Sequence, residues 1–164
     1  VQSVERRAPL VGSADHGAHH WRLVGVTGAE LLATVPEADP LVVLLFALFH
    51  DSQRETDYVD PEHGPRAALL ARELVPKVLP ELGADRLEIL CRACDLHTTA
   101  PPTEHPTLGT CWDSDRLNLW RVGIEPSALY LSTDEAKRPE RIAWAEELQE
   151  RDYGWDEILE MYEL

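Results

Sequence analysis

The chain has 164 residues, 44% of them apolar, which is enough to close a hydrophobic core without cross-links. Its 15 basic residues against 30 acidic ones, a formal net charge of −15, exclude a surface built to hold a nucleic-acid polymer or an anionic membrane. The longest apolar run, Leu41 to Phe49, is far short of the ~20 residues of a membrane span. Three cysteines, Cys91, Cys94 and Cys111, are too few and too odd in number for a disulfide framework and are expected as small buried apolar groups. Reduced thiols and the lack of a recognisable targeting segment point to the cytoplasm.

Hydrophobic spacing is helical nearly throughout and no segment alternates with period two, so the predicted architecture is an all-α bundle of about six to seven helices. Residues 1–12 lack a period and are expected to form an irregular arm. Asp15 is the expected N-cap of a helix through Trp21, Val24 and Leu31. Asp39-Pro40 opens a buried helix over 40–51, followed by a charged loop from Ser52 to Pro61. A third helix starts near Glu62, carries Ala67, Leu70, Ala71 and Val75, and is expected to be ended by Pro76 and Pro80. A fourth spans 84–97 with Leu87, Leu90 and Ala93 on its apolar stripe. Pro101, Pro102 and Pro106 make 98–107 a loop, before a fifth helix near 108–121. Thr133-Asp134-Glu135 looks like the capped start of a helix over 134–151, and Trp155 to Tyr162 forms a last amphipathic segment. The acidic C-terminal helices, within 134–164, either pack on the core or mediate a homodimer.

The chemistry is concentrated where the apolar run ends. Leu41 to Phe49 gives way at once to His50-Asp51, an imidazole and a carboxylate at the end of a buried helix. Buried charges are paired or bound to a metal, because an unpaired one costs several kcal/mol. Neutral imidazole and ionised carboxylate are standard ligands for divalent ions. The plainer alternative has His50 capping the last carbonyls of its helix and Asp51 starting a turn. His20, beside Trp21-Arg22-Leu23-Val24, and Asp115, inside Cys111-Trp112-Asp113-Ser114-Asp115-Arg116-Leu117, are further potential ligands at core-like positions.

The order His … His-Asp … Asp in these contexts resembles the HD-domain superfamily of metal-dependent phosphohydrolases. His16-Gly17-Ala18-His19-His20-Trp21, Leu48-Phe49-His50-Asp51-Ser52 and Asp113-Ser114-Asp115-Arg116-Leu117 carry the resemblance, which covers roughly residues 16–124. Asp60-Pro61-Glu62-His63-Gly64-Pro65-Arg66-Ala67-Ala68 looks like a small bacterial subgroup. The resemblance implies one HD-like domain over 1–164, with a divalent metal (Mn, Mg, Zn, Fe, Co or Ni) held by His20, His50, Asp51 and Asp115. His20 is preferred to His16 and His19 because Val24 follows it by one helical turn, as in the family. Asp115 is preferred to Asp113 because it precedes the basic-Leu pair, leaving Asp113 to orient a ligand.

In some members of the superfamily two further histidines in this chain order hold a second metal or contact substrate phosphate, which would be His63 and His97. The alternative is that His63 caps a helix start and His97 binds its own helix's last carbonyls. Arg54 and Arg66 are the candidates for gripping phosphate, since guanidinium does so bidentately. Arg116 is expected to pack against surface carboxylates. The implied activity is hydrolysis of a small phosphate ester or nucleotide, with metal-activated water as nucleophile and Asp51 orienting or deprotonating it. Arg54 stands where the nucleotidase-like branch has an acid, which argues against a 5′-nucleotidase. A di-iron oxygenase cleaving a C–C or C–P bond is the first rival, and a non-catalytic ligand-binding module is the second.

Overall fold

Helix α3 (Pro40–Phe49) organises the chain because almost every one of its residues is apolar. Its start is fixed by Asp39, whose carboxylate accepts from the Val42 amide at 3.1 Å and is gripped bidentately by Arg86. With Val42, Val43, Phe46 and Ala47 wholly buried, α3 has to be covered on several sides. It is wrapped by α2 (Ala18–Leu32), α4 (His63–Val78), α5 (Ala84–Leu96) and α6 (Pro106–Arg116). A short α1 (Gln2–Glu5) precedes these, and α7 (Pro139–Leu148) and α8 (Trp155–Met161) follow. Three 3₁₀ turns, Pro80–Leu82, Leu117–Val122 and Ala128–Tyr130, complete the elements. This computed structural model describes residues 1–162, and among them every regular element is helical. The last two positions of the 134–164 segment lie outside the described residues. No helix among the described residues is long and apolar enough to cross a membrane.

Several boundaries differ from the sequence expectation. The arm contains α1, because Val4 is buried against the core. Helix α2 is capped by Gly17, not Asp15: Ser13 Oγ accepts from the amides of Asp15 and His16 and turns the chain first. Pro76 sits inside α4. Buried Val75, and the Leu79 amide bonding to the Val75 carbonyl at 2.8 Å, carry the helix past the one bond that proline removes. Helix α6 begins two residues early at Pro106 and tightens into a 3₁₀ turn after Arg116. The helix expected at 134 starts only at Pro139, because the proline ring holds Arg138 in an extended conformation. The three cysteines are free and buried, as their composition suggested.

α4 and α5 approach so closely that a Cβ on Gly64 would lie 2.5 Å from the Cys94 carbonyl oxygen and 3.0 Å from that of Asp95. Both obstacles are backbone, so a side chain there forces the helices apart. We expect Gly64→Ala to destabilise the fold by about 1–3 kcal/mol in denaturant titration. Wild-type stability in that variant would show that the two helices do not need this contact.

Candidate metal centre

The ends of five helices bring the chemistry to one end of the bundle. His20 lies in the first turn of α2, His50 and Asp51 follow α3, and His63 opens α4. His97 caps α5, and Asp115 is the penultimate residue of α6. All six side chains are buried, Asp115 the least so at 9% exposure. Helices α3, α5 and α6 point their C-termini, the negative ends of their dipoles, toward this corner, against the positive N-termini of α2 and α4.

The side chains form two trios of potential ligands: His20, His50 and Asp115, and Asp51, His63 and His97. In the first, His20 Nε2 lies 3.1 Å from His50 Nε2 and 3.2 Å from Asp115 Oδ1, and His50 Nε2 lies 3.7 Å from that oxygen. In the second, His63 Nε2 lies 2.9 Å from His97 Nε2 and 3.1 Å from Asp51 Oδ1, with His97 Nε2 at 3.6 Å. Ligands on a common ion at bonds of about 2.1 Å lie about 3.0–3.4 Å apart at octahedral or tetrahedral angles. The separations match that range to within a few tenths of an ångström. Asp51 divides its carboxylate between the trios. Its Oδ1 faces His63 and His97, while Oδ2 lies 3.7 Å from His20 Nε2 and 3.8 Å from His50 Nε2.

Backbone carbonyls orient three of the four imidazoles. His50 Nδ1 donates to the carbonyls of Phe46 and Ala47, His97 Nδ1 to that of Cys94 at 2.7 Å, and His63 Nδ1 to that of Asp60. The capping alternatives for His50 and His97 are therefore real contacts, whereas His63 does not cap α4; all three leave Nε2 free to turn inward. With the ring proton on Nδ1, the Nε2 atoms of His63 and His97 meet lone pair to lone pair beside a carboxylate oxygen. Asp51 Oδ1 accepts from Arg54 Nε at 3.2 Å, so the two imidazole lone pairs are the acceptors left facing each other, and a cation between them would satisfy both. In the first trio, Asp115 Oδ1 is buried without a hydrogen-bond donor, a second acceptor in want of a cation. These observations, and the mixed imidazole and carboxylate donor set, fit divalent metal ions.

Electrostatics agree. Burial, helped by the Arg121 charge, pushes the His20 imidazole down to about 3. Burial also lowers His50 to about 4, against the pull of Asp51 and Asp115. Burial alone would raise Asp51, but the imidazoles of His50, His16, His63 and His97 outweigh it and hold the carboxyl well below its ordinary value. Burial likewise opposes ionisation of Asp115, and His20, His50 and Arg121 overcome it. At His97 burial is outweighed by Asp51 and Asp115, and the imidazole is raised.

The remaining sequence candidates divide. Arg54 reaches the corner, with Nε 3.2 Å from Asp51 Oδ1 and Nη1 on the carbonyls of Thr56 and Tyr58. Arg66 does not: its guanidinium donates to the Gln53 carbonyl and to Asp60. Asp113 orients no ligand. It accepts from the amides of Ser132 and Thr133 and from the Thr133 hydroxyl, anchoring that loop to α6. Arg116 packs against carbonyls rather than surface carboxylates, donating to those of His97, Ala100 and Tyr130.

Two further residues reach the corner: His16, which the sequence reading set aside in favour of His20, and Arg121, which it gave no reason to place there. His16 Nδ1 lies 3.0 Å from Asp51 Oδ2. Arg121 is held by the carbonyls of Asp15 and Asn118 and puts Nη2 3.8 Å from Asp115 Oδ1 and 4.0 Å from Asp51 Oδ2. The 3₁₀ spacing of Asp115, Asn118 and Arg121, three residues per turn, is the one sequence signal that could have found Arg121.

A pH dependence follows for protein stripped of metal. Between about pH 6.5 and 4 the unfolded chain protonates its counterparts of His20 and His50 while the folded chain does not, so stability falls as acid is added. His97 has the opposite sign: its contribution is complete below 6.5 and is lost as pH rises through its raised folded value. Denaturation of chelator-treated protein across pH 4.5 to 7.5 checks this, and a stability that did not fall from 6.5 to 4.5 would contradict neutral, buried His20 and His50. No protein-family model, curated protein or solved structure matches this chain.

Proposed function

We propose that the chain is a single HD-like domain acting as a dinuclear, divalent-metal phosphohydrolase on a small phosphate ester. The observation that carries the reading is the pair of buried acceptor trios sharing Asp51. His20, His50 and Asp115 would hold one ion, His63 and His97 the other, with Asp51 offering one oxygen to each. Bound there, divalent ions supply Lewis acidity and bring the pKa of a water to about 7. Asp51, at the centre, has the catalytic role of orienting that water. Arg54 and Arg121 flank the Asp51 carboxylate, and each would offer a phosphoryl oxygen its Nη2, the one guanidinium nitrogen that no hydrogen bond engages. A cavity of about 770 Å³ opens on His16, Asp51, Arg54, His97, Asp115 and Arg121, a volume suited to a small molecule and not to a polymer. The resemblance of the ligand-bearing segments to the HD-domain superfamily supports the same reaction class.

Elemental analysis should find two metal ions per chain. Asp115→Asn should retain about one of them, and Asp51→Ala should bind both weakly and lower turnover on the order of a thousandfold. Undiminished phosphatase activity after chelation would refute the mechanism. Four imidazoles and two carboxylates also suit iron, which favours a di-iron oxygenase as the second reading. Iron-loaded protein that consumes oxygen with a substrate, while zinc-, manganese- and magnesium-loaded forms hydrolyse no ester, would decide for it.

A further inference from the structure

The cavity over the metal centre has two chemically different ends. One holds the charged groups already described. The other is walled mainly by Ala100, Pro101, Leu119, Ile124, Leu129 and Tyr130, with Thr98, Thr99, Glu125 and Ser127 as its polar side chains. Pro101 and Pro102 have no amide N–H to give. The Arg116 guanidinium, which also lines this region, is already committed to three backbone carbonyls. The Ser127 hydroxyl accepts from the Leu129 amide as the cap of the 3₁₀ turn.

A nucleobase or a sugar brings several donors and acceptors, each of which loses water on entry and needs a replacement. At this end only the Thr98, Thr99 and Ser127 hydroxyls and the Glu125 carboxylate could replace them, in a lining that is otherwise mostly apolar. The chain also leaves large apolar side chains in water at this mouth: Ile124 is 53% exposed, Tyr130 67% and Leu129 83%, with Val122 beside them. Apolar surface gathered around one opening marks a binding site for an apolar group.

We propose that this cavity selects phosphate monoesters whose alcohol portion is apolar, over nucleotides and sugar phosphates, with the anionic head between Arg54 and Arg121 and the apolar body along the 98–102 and 119–131 walls. The inference rests on the phosphohydrolase reading and narrows its substrate class. In the reaction, the water oxygen bonds to phosphorus as the phosphorus–alcohol oxygen bond breaks, and the departing alkoxide takes up the proton that the water gives up. The products are inorganic phosphate and an apolar alcohol.

The test is a series of n-alkyl phosphates from ethyl to octyl, with phenyl phosphate, nucleoside monophosphates and sugar phosphates, assayed on metal-loaded protein. Each buried methylene should raise kcat/KM roughly two- to fourfold, and octyl phosphate should exceed every nucleotide. In an Ile124→Ser/Leu129→Ser double variant, whose changes lie on the surface, that slope should flatten while metal content stays at the wild-type value. A flat series, or nucleotides turned over faster than alkyl phosphates, overturns the proposal and leaves the hydrolase intact. Calorimetric titration with n-alkylphosphonates separates the two levels. Affinity that grows with chain length, without turnover of any ester under any metal, supports the ligand class and refutes the hydrolase; neither binding nor turnover refutes both.

Discussion

The fold depends on how one carboxylate is shared. Asp51 is 2% exposed and stands between two pairs of imidazoles, an arrangement the interior tolerates only with compensating positive charge. Arg54 on one oxygen and Arg121 toward the other give part of it, so the two carboxylates Asp51 and Asp115 face two guanidiniums. The corner is therefore close to neutral before any metal arrives, which lets the chain fold around it. Divalent ions would then make it strongly positive. In a chain of net charge −15, that is how an anionic substrate could be drawn to one point of an otherwise repelling surface.

Helix ends make the convergence possible. A ligand in mid-helix would have to reach past neighbouring turns, whereas His50, His97 and Asp115 sit in or just after last turns, and His20 and His63 sit in first turns. At the C-terminal ends the last-turn carbonyls are also useful. They take the Nδ1 protons of His50 and His97, so the groups that terminate the helices also fix the imidazole tautomers. The contact of Gly64 with the Cys94 carbonyl belongs to the same device: it sets the spacing of α4 and α5, and with it the distance from His63 to His97.

Much of this was legible in the sequence, and what was not has physical reasons. His50-Asp51 at the end of an unbroken apolar run was conspicuous because such a run must be buried and polar groups at its end must be answered. The helical periods of α3, α4 and α5 were readable because each has a strong apolar stripe or an all-apolar face. His16 could not be placed, since it lies in a turn made by Ser13, where no period applies. Arg121 was hidden by the switch from α to 3₁₀ geometry after Arg116, which changes the angular step per residue. Arg66 and Asp113 carry the right chemistry but are drawn off by nearer partners, Asp60 and the 132–133 amides. Sequence identifies which groups could serve; only packing decides which are still free.

Arg116 shows how structure away from the His and Asp cluster shapes the cavity. From the end of α6 it donates to His97 and Ala100 on one wall and to Tyr130 on the other, so a single planar guanidinium ties together two irregular segments with no ladder between them. Its burial lowers its own pKa, a cost that the nearby charges of Asp115 and Asp113 reduce. Through the His97 carbonyl the same tie bears on the ligand-bearing end of α5. The 98–102 and 119–131 walls of the cavity and the imidazole of His97 are thus coupled by one side chain. Lysine, with its charge at a single point and no planar fork, could not span these three carbonyls in the same way.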